Sequence, residues 1–221
     1  MNKKAYILFT RIPTPNKVKT RLQPKLTGEE AAQVQLELLK DSFIKFETLK
    51  NNGIDLFLAY SDEADLTIFL KSLPENFESF PQIGETIGDR MDNAIKTIFA
   101  KGYEQVILTG SDIPNLNQKI LQQAFANLEE VVIGPSADGG YYLIGSTSLI
   151  DLSPIFQSKI DWGKQAVLQT TIAILSKSKI YLLPTLKDID YPEDLLEVTE
   201  HSGKDNHFFN RWLEENRGRI L

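Results

Sequence analysis

The sequence predicts an α/β protein, built as one domain over residues 1–221 around a mostly parallel sheet flanked by helices. Three observations carry this. Strand and helix signals alternate along most of the chain, which implies crossover connections. The strand candidates are continuous apolar runs, as expected where helices cover both faces of a sheet. A length of 221 residues suits one such domain and would cramp two.

The elements follow in order. Residues 5–10 form the first apolar run, and a loop with Pro13 and Pro15 comes next. Thr27 stands three residues before Glu30, the spacing of a capping box. Ala32, Leu36, Leu39 and Phe43 then recur at helical spacing, with Gly53 after the stop. Ile54–Tyr60 reads as a strand, 62–72 as a helix, and 77–83 is ambiguous. Residues 88–100 are helical, with Met91, Ala94, Ile95 and Ile98 on one face and Gly102 as the stop. A strand at 106–109 runs straight into the segment GSDIP at 110–114. Then come a helix at 118–128, a strand at 131–133, a turn at 137–140 and a strand at 141–144. A helix at 163–176, a strand at 180–183 and a helix at 192–199 follow, the last with proline in its first turn. Residues 206–216 are a final helix candidate.

Composition excludes several chemistries. There is no cysteine, hence no disulfide, thiolate zinc site or thiol nucleophile. The N-terminal apolar run is too short for a secretion signal and no stretch approaches a membrane span, so a cytoplasmic protein is expected. The formal charge is −6 but unevenly placed. Residues 1–28 carry Lys3, Lys4, Arg11, Lys17, Lys19, Arg21 and Lys25 and no acid. All 30 acidic groups lie beyond them. An acidic body disfavours nucleic acid, while a basic loop upon it suits a small anionic ligand.

In open sheets of this kind ligands sit beyond the carboxyl ends of the strands, so four strand ends matter. After the first strand, two prolines stiffen the loop, and Asn16 can take φ > 0 at modest cost. Lys17, Lys19 and Arg21 decorate it, lysine as a point charge for phosphate and arginine as a fork. No P-loop spacing is present. At the second end Asp112 either ligates a magnesium ion or braces the turn before Pro114. At the third, Asp138-Gly139-Gly140 is either a plain Asp-Gly hairpin turn or a close approach to ligand. At the fourth, one of Asp188 and Asp190 is a second metal ligand, Asp190 by preference, and the other could cap the helix entered at Pro192.

Arg90 could reach an anionic acceptor. Trp162 packs or stacks on a ligand, packing being favoured. His201 and His207 form no catalytic pair, and no Ser-His-Asp arrangement assembles.

The blocks KVKTRL, IGDRM, GSDIP, PSADGGYYLIG and DIDYPEDL occur in this order along nearly the whole chain. Together they resemble the DUF2064 family, whose members are named as glycosyltransferases within the nucleotide-diphospho-sugar transferase superfamily. That family is similar to the MobA-like and 2-phospholactate guanylyltransferase enzymes. The resemblance implies a glycosyltransferase-A fold with Asp112 and Asp190 as ligands of Mg²⁺ or Mn²⁺. It implies Lys19 and Arg21 at the donor phosphates, with Arg11 and Ser111 beside them. It places Arg90, Asp138, Gly139 and Gly140 at the acceptor. Two positions depart from the family pattern, Asn16 for glycine and Gly163-Lys164 for serine or glycine followed by threonine.

The expected chemistry needs no side-chain nucleophile. Lys19, Arg21 and the Asp112-bound metal offset charge as a nucleotidyl or glycosyl group passes from a nucleoside triphosphate or nucleotide-sugar to a small acceptor. The rival readings are a non-catalytic nucleotide-binding module and a dinucleotide-binding protein. Against the latter, no G-x-G-x-x-G follows the first strand.

Overall fold

The computed structural model describes residues 3–61, 69, 73–163, 165–201 and 205–220. Among the described residues, seven strands form one sheet: β1 (Lys4–Thr10), β2 (Ile54–Tyr60), β3 (Phe77–Pro81), β4 (Gln105–Thr109), β5 (Val131–Pro135), β6 (Tyr141–Thr147) and β7 (Ile180–Leu182). Their order across the sheet is β3-β2-β1-β4-β6-β5-β7. Only β6 is reversed, pairing antiparallel with β4 and β5; every other pairing is parallel. The mostly parallel sheet read from the sequence is therefore present.

The helices are α1 (Gly28–Glu47), α2 (Ile87–Ala100), α3 (Gln118–Ala126), α4 (Ser153–Phe156), α5 (Val167–Ile174), α6 (Pro192–His201) and α7 (His207–Ile220). The capping box expected at Thr27 forms: its side chain accepts from Glu30 N, and Glu30 accepts from Thr27 N. A second box at Thr86 and Asp89 opens α2. Gly53 and Gly102 end their helices at φ 72° and 85°, in the left-handed region where a side chain is strained.

Some expectations need correction. The segment 77–83 is an edge strand at Phe77–Pro81. The helix expected at 163–176 is shorter, because Gly163 sits at φ 88° and the chain turns before Val167. The short α4 was not foreseen. The helix expected at 62–72 lies outside the described residues, apart from Phe69.

Apolar side chains fill both faces of the sheet. Tyr6, Leu8, Leu56 and Leu58 pack beneath α1 and α3. Ile7, Phe57, Val106 and Ile133 pack beneath α2 and α4. A third cluster joins α1, α6 and α7 through Leu38, Leu195, Phe209 and Trp212, and includes Leu22 and Ile189 from two loops.

Buried Asp41 on α1 caps α7 from outside, accepting from Phe208 N at 3.0 Å and Phe209 N at 2.9 Å. Asp41→Ala should therefore lower unfolding stability by about 1–2 kcal/mol, read by urea denaturation. A change within a few tenths would mean that water satisfies those amides.

Candidate functional site

The chain runs outward from β1 through β2 to β3, then crosses back to lay β4 on the other side of β1. The order reverses between β1 and β4, and a crevice opens at the carboxyl ends of strands at such a point. A cleft of about 430 Å³ lies there. Its walls come from the loops after β1, β4 and β5, the start of β6 and the segment 188–190.

The loop after β1 is compact and irregular. Asn16 and Lys19 both take positive φ, 62° and 48°, and a single 3-10 turn at Thr20–Leu22 anchors it through buried Leu22. The loop after β4 is tied to the late segment by Ile189 N donating to Asp112 O at 3.0 Å. That bond brings residues 112 and 188–190 together despite their separation in sequence. Carboxylate oxygens of Asp112, Asp188 and Asp190 can all lie within 4.8 Å of one another.

Lys19 closes this cluster. Its ammonium donates to Asp112 Oδ2 at 2.8 Å, to Asp190 Oδ1 at 3.4 Å and to the Ile189 carbonyl. A lysine has three donors, and these partners take all of them. The side chain is only 6% exposed. Burial alone would lower its pKa, but the charges of Asp112, Asp190 and Asp188 and the bond to Asp112 outweigh burial and raise it. The Lys19 expected to meet donor phosphates is thus directed at the carboxylates. Arg21 is half exposed, gives one nitrogen to Asp190 Oδ2 at 2.6 Å and lies over the Tyr191 ring. Its remaining donors are numerous enough to serve an anion as well.

Asp188 is pushed up to about 6, first by burial and then by the charges of Asp112, Asp190 and Asp138. Ser136 Oγ donates to it at 3.3 Å. Three carboxylates against Lys19 and Arg21 leave the cluster net negative. The donor set is oxygen throughout, which fits a hard divalent cation such as Mg²⁺ or Mn²⁺ and not a thiophilic one.

The other expected residues sort as follows. Arg11 lines the cleft mouth. Ser111 also lines it, but its hydroxyl is buried in a network with Thr10 Oγ1 at 2.8 Å and Gln35 Nε2 at 2.8 Å. Asp138 and Gly140 reach the wall, and Asp138 Oδ1 accepts from Gly140 N at 2.9 Å. Gly139 serves the protein's own packing: at φ 92°, an added Cβ would lie 2.4 Å from Gln165 O. Gly139→Ala should therefore cost roughly 1–3 kcal/mol in a denaturant melt. A loss below half a kcal/mol would show that the turn can relax. Arg90 is not in the cleft lining; its Nε donates to Gly84 O at 3.0 Å and braces the entry to α2. Trp162 both packs and lines: it stacks on Phe156, centroids 6.2 Å apart, and meets Tyr141 edge-on.

Asp194, in the first turn of α6, reaches back and accepts from Asp190 N at 2.9 Å and Tyr191 N at 2.6 Å, fixing the chain just ahead of the helix. An acid at that position, two residues after Pro192, is a legible signal for such a backward bond at a helix start. Gln35 and Ser136 were missed, and nothing in their local sequence announces them.

The fold and the site define a class, the nucleotide-diphospho-sugar transferases, and the chain is a nucleotide-dependent transferase. A protein from Desulfovibrio desulfuricans G20, provisionally described as a nucleotide-diphospho-sugar transferase, superposes with a TM-score of 0.87 at 30% identity, covering 100% of this chain and 97% of that one. Within that class the chain belongs to DUF2064, described as uncharacterized protein conserved in bacteria, whose profile matches residues 44–164. It is also similar to the 2-phospho-L-lactate guanylyltransferases of Methanosphaera stadtmanae, at 26% identity over 95% of this chain and 89% of the relative, and of Methanocaldococcus vulcanius, at 29% over 90% and 86%. Among the described residues, no helix is long and apolar enough to cross a membrane.

Proposed function

We propose that this chain is a divalent-metal-dependent nucleotidyltransferase that moves a nucleoside monophosphate group from a triphosphate to a small acceptor. The observation that carries the reading is the convergence of Asp112, Asp188 and Asp190 at the β1/β4 switch point, beside a basic loop. An oxygen of the acceptor attacks the α-phosphorus, the bond to the bridging oxygen breaks, and pyrophosphate leaves.

Asp112 and Asp190 would hold the cation, with Asp188 adjoining. When bound, Mg²⁺ or Mn²⁺ would gather the phosphate oxygens and offset the negative charge that builds on the departing pyrophosphate. Arg21 and Arg11 face the same phosphates from the loop after β1. Lys19 holds the two carboxylates in register, so they need not be reorganised as the ligand enters. Part of the lining is carbon-rich: Phe9, Ile87, Met91, Tyr141, Ile144 and Trp162. That part would take the uncharged body of the acceptor, leaving its nucleophilic oxygen at the charged end. Asp138 and Gly140 also line the cleft. The acidic remainder of the chain disfavours nucleic acid.

Triphosphate is favoured over nucleotide-sugar because the guanylyltransferase relatives span nearly the whole chain and three basic side chains line the cleft. A thermal-shift screen of nucleoside triphosphates and nucleotide-sugars, with Mg²⁺, Mn²⁺ or EDTA, tests this. A triphosphate at about 100 times its Kd should add about 2.7 kcal/mol of stability, with metal only. A shift confined to nucleotide-sugars would transfer the reading to glycosyl transfer. Shifts indifferent to EDTA would favour a binding module without turnover.

A further inference from the structure

We infer that Asn206, acting with Lys45, is a positioning residue that sets the place of the Asp112 loop, and through it the affinity for the divalent cation. The inference rests on the metal reading above and concerns two residues outside the cleft lining.

Asn206 precedes α7 and is 1% exposed. Its Nδ2 donates to the Pro114 carbonyl at 2.9 Å. Lys45, near the end of α1, donates to the same carbonyl at 3.2 Å and to Asn206 Oδ1 at 3.0 Å. A carbonyl oxygen has two lone pairs, so this one is filled. Pro114 has no N–H of its own, which leaves its carbonyl as the main-chain handle at this point of the loop. The handle lies two residues after Asp112. The other side of the loop is fixed by Gly110 N donating to Tyr142 O at 3.1 Å and by Ile189 N donating to Asp112 O at 3.0 Å. Asp112 is therefore suspended between the sheet, the segment bearing Asp188 and Asp190, and the Asn206–Lys45 pair.

The choice of residues argues for more than filling space. Burial pushes the Lys45 ammonium down to about 8, and the charges of Asp41 and Asp205 restrain the fall. An ammonium in such a place costs desolvation energy that an apolar side chain of equal size would avoid. What it supplies instead is direction: two donors converge on one oxygen and fix where the loop stands. Metal sites are sensitive to this, since ligand distances hold within about 0.2 Å. Changing an outer partner typically weakens metal binding about 10–100-fold.

The test uses the full chain without nucleotide, with Mn²⁺ as the probe, titrated by electron paramagnetic resonance. Asn206→Asp keeps the acceptor for Lys45 and removes the donor to Pro114; Asn206→Ala removes both. Ile98→Ala, fully buried on α2 at the opposite face of the sheet, serves as a control that loses stability by packing alone. Both Asn206 variants should bind Mn²⁺ about 10-fold more weakly than wild type, with Ile98→Ala within about twofold. Asn206 variants within twofold of wild type, or an Ile98→Ala loss as large as theirs, would overturn the inference. If wild type itself takes up no Mn²⁺, the metal reading falls, and amide exchange of residues 110–116 decides the brace separately. Exchange about tenfold faster in the Asn206 variants than in Ile98→Ala keeps it; equal rates overturn it.

Discussion

Asp112→Ala is expected to weaken metal-dependent triphosphate binding by at least about 100-fold while the protein stays folded. Loss of an outer partner alone reaches that range, and here a ligand itself is removed. The fold should survive because the contacts that place this loop are main-chain: Gly110 N to Tyr142 O and Ile189 N to Asp112 O. Alanine keeps both. The Asp112 side chain is also 31% exposed, so no void opens in the core. Calorimetric titration of both proteins with a triphosphate and Mg²⁺ checks the outcome. Matching affinities would remove Asp112 from the metal site and with it the proposed chemistry.

The second large effect belongs to Lys19→Met. It removes an ammonium from among three carboxylates and leaves their mutual repulsion uncompensated. Breaking a buried ion pair from one side costs about 3–5 kcal/mol. The lower end applies here, since Asp112 and Asp190 are each about 30% exposed and water screens them. The metal-free variant should therefore unfold at clearly lower urea. Mn²⁺ should restore more stability to it than to wild type, because the cation then supplies the missing charge. A variant that melts like wild type, or that gains nothing extra from Mn²⁺, would show that Lys19 does not balance this cluster.

Much of the fold was legible because its signals are local. The apolar runs of β1, β2 and β4, the capping pair Thr27 and Glu30, and the glycine stops at 53 and 102 each follow from neighbouring residues. The reversed strand β6 was legible only through the Asp138-Gly139 hairpin turn, which joins β5 and β6 antiparallel; its apolar run alone reads like that of a parallel strand. At the site, Asp112, Asp190 and Arg21 could be singled out because strand ends are where ligands sit. The orientation of Lys19 could not. It depends on φ 48° at its own backbone and on the Ile189 carbonyl arriving from 170 residues away. Nor could the place of Arg90 be read: it stands on α2, and its Nε donates to the Gly84 carbonyl six residues back.

The cluster joining α1, α6 and α7 contains Leu22 from the basic loop and Ile189 from between two site aspartates, and reaches to Ile220. Synthesis runs from the amino end, so a nascent chain completes β7, the last strand of the sheet, before it adds the two helices of this clamp. The ligand pocket should mature only after α7 has left the ribosome, and a chain stalled shortly before that point would hold a formed sheet with unseated loops.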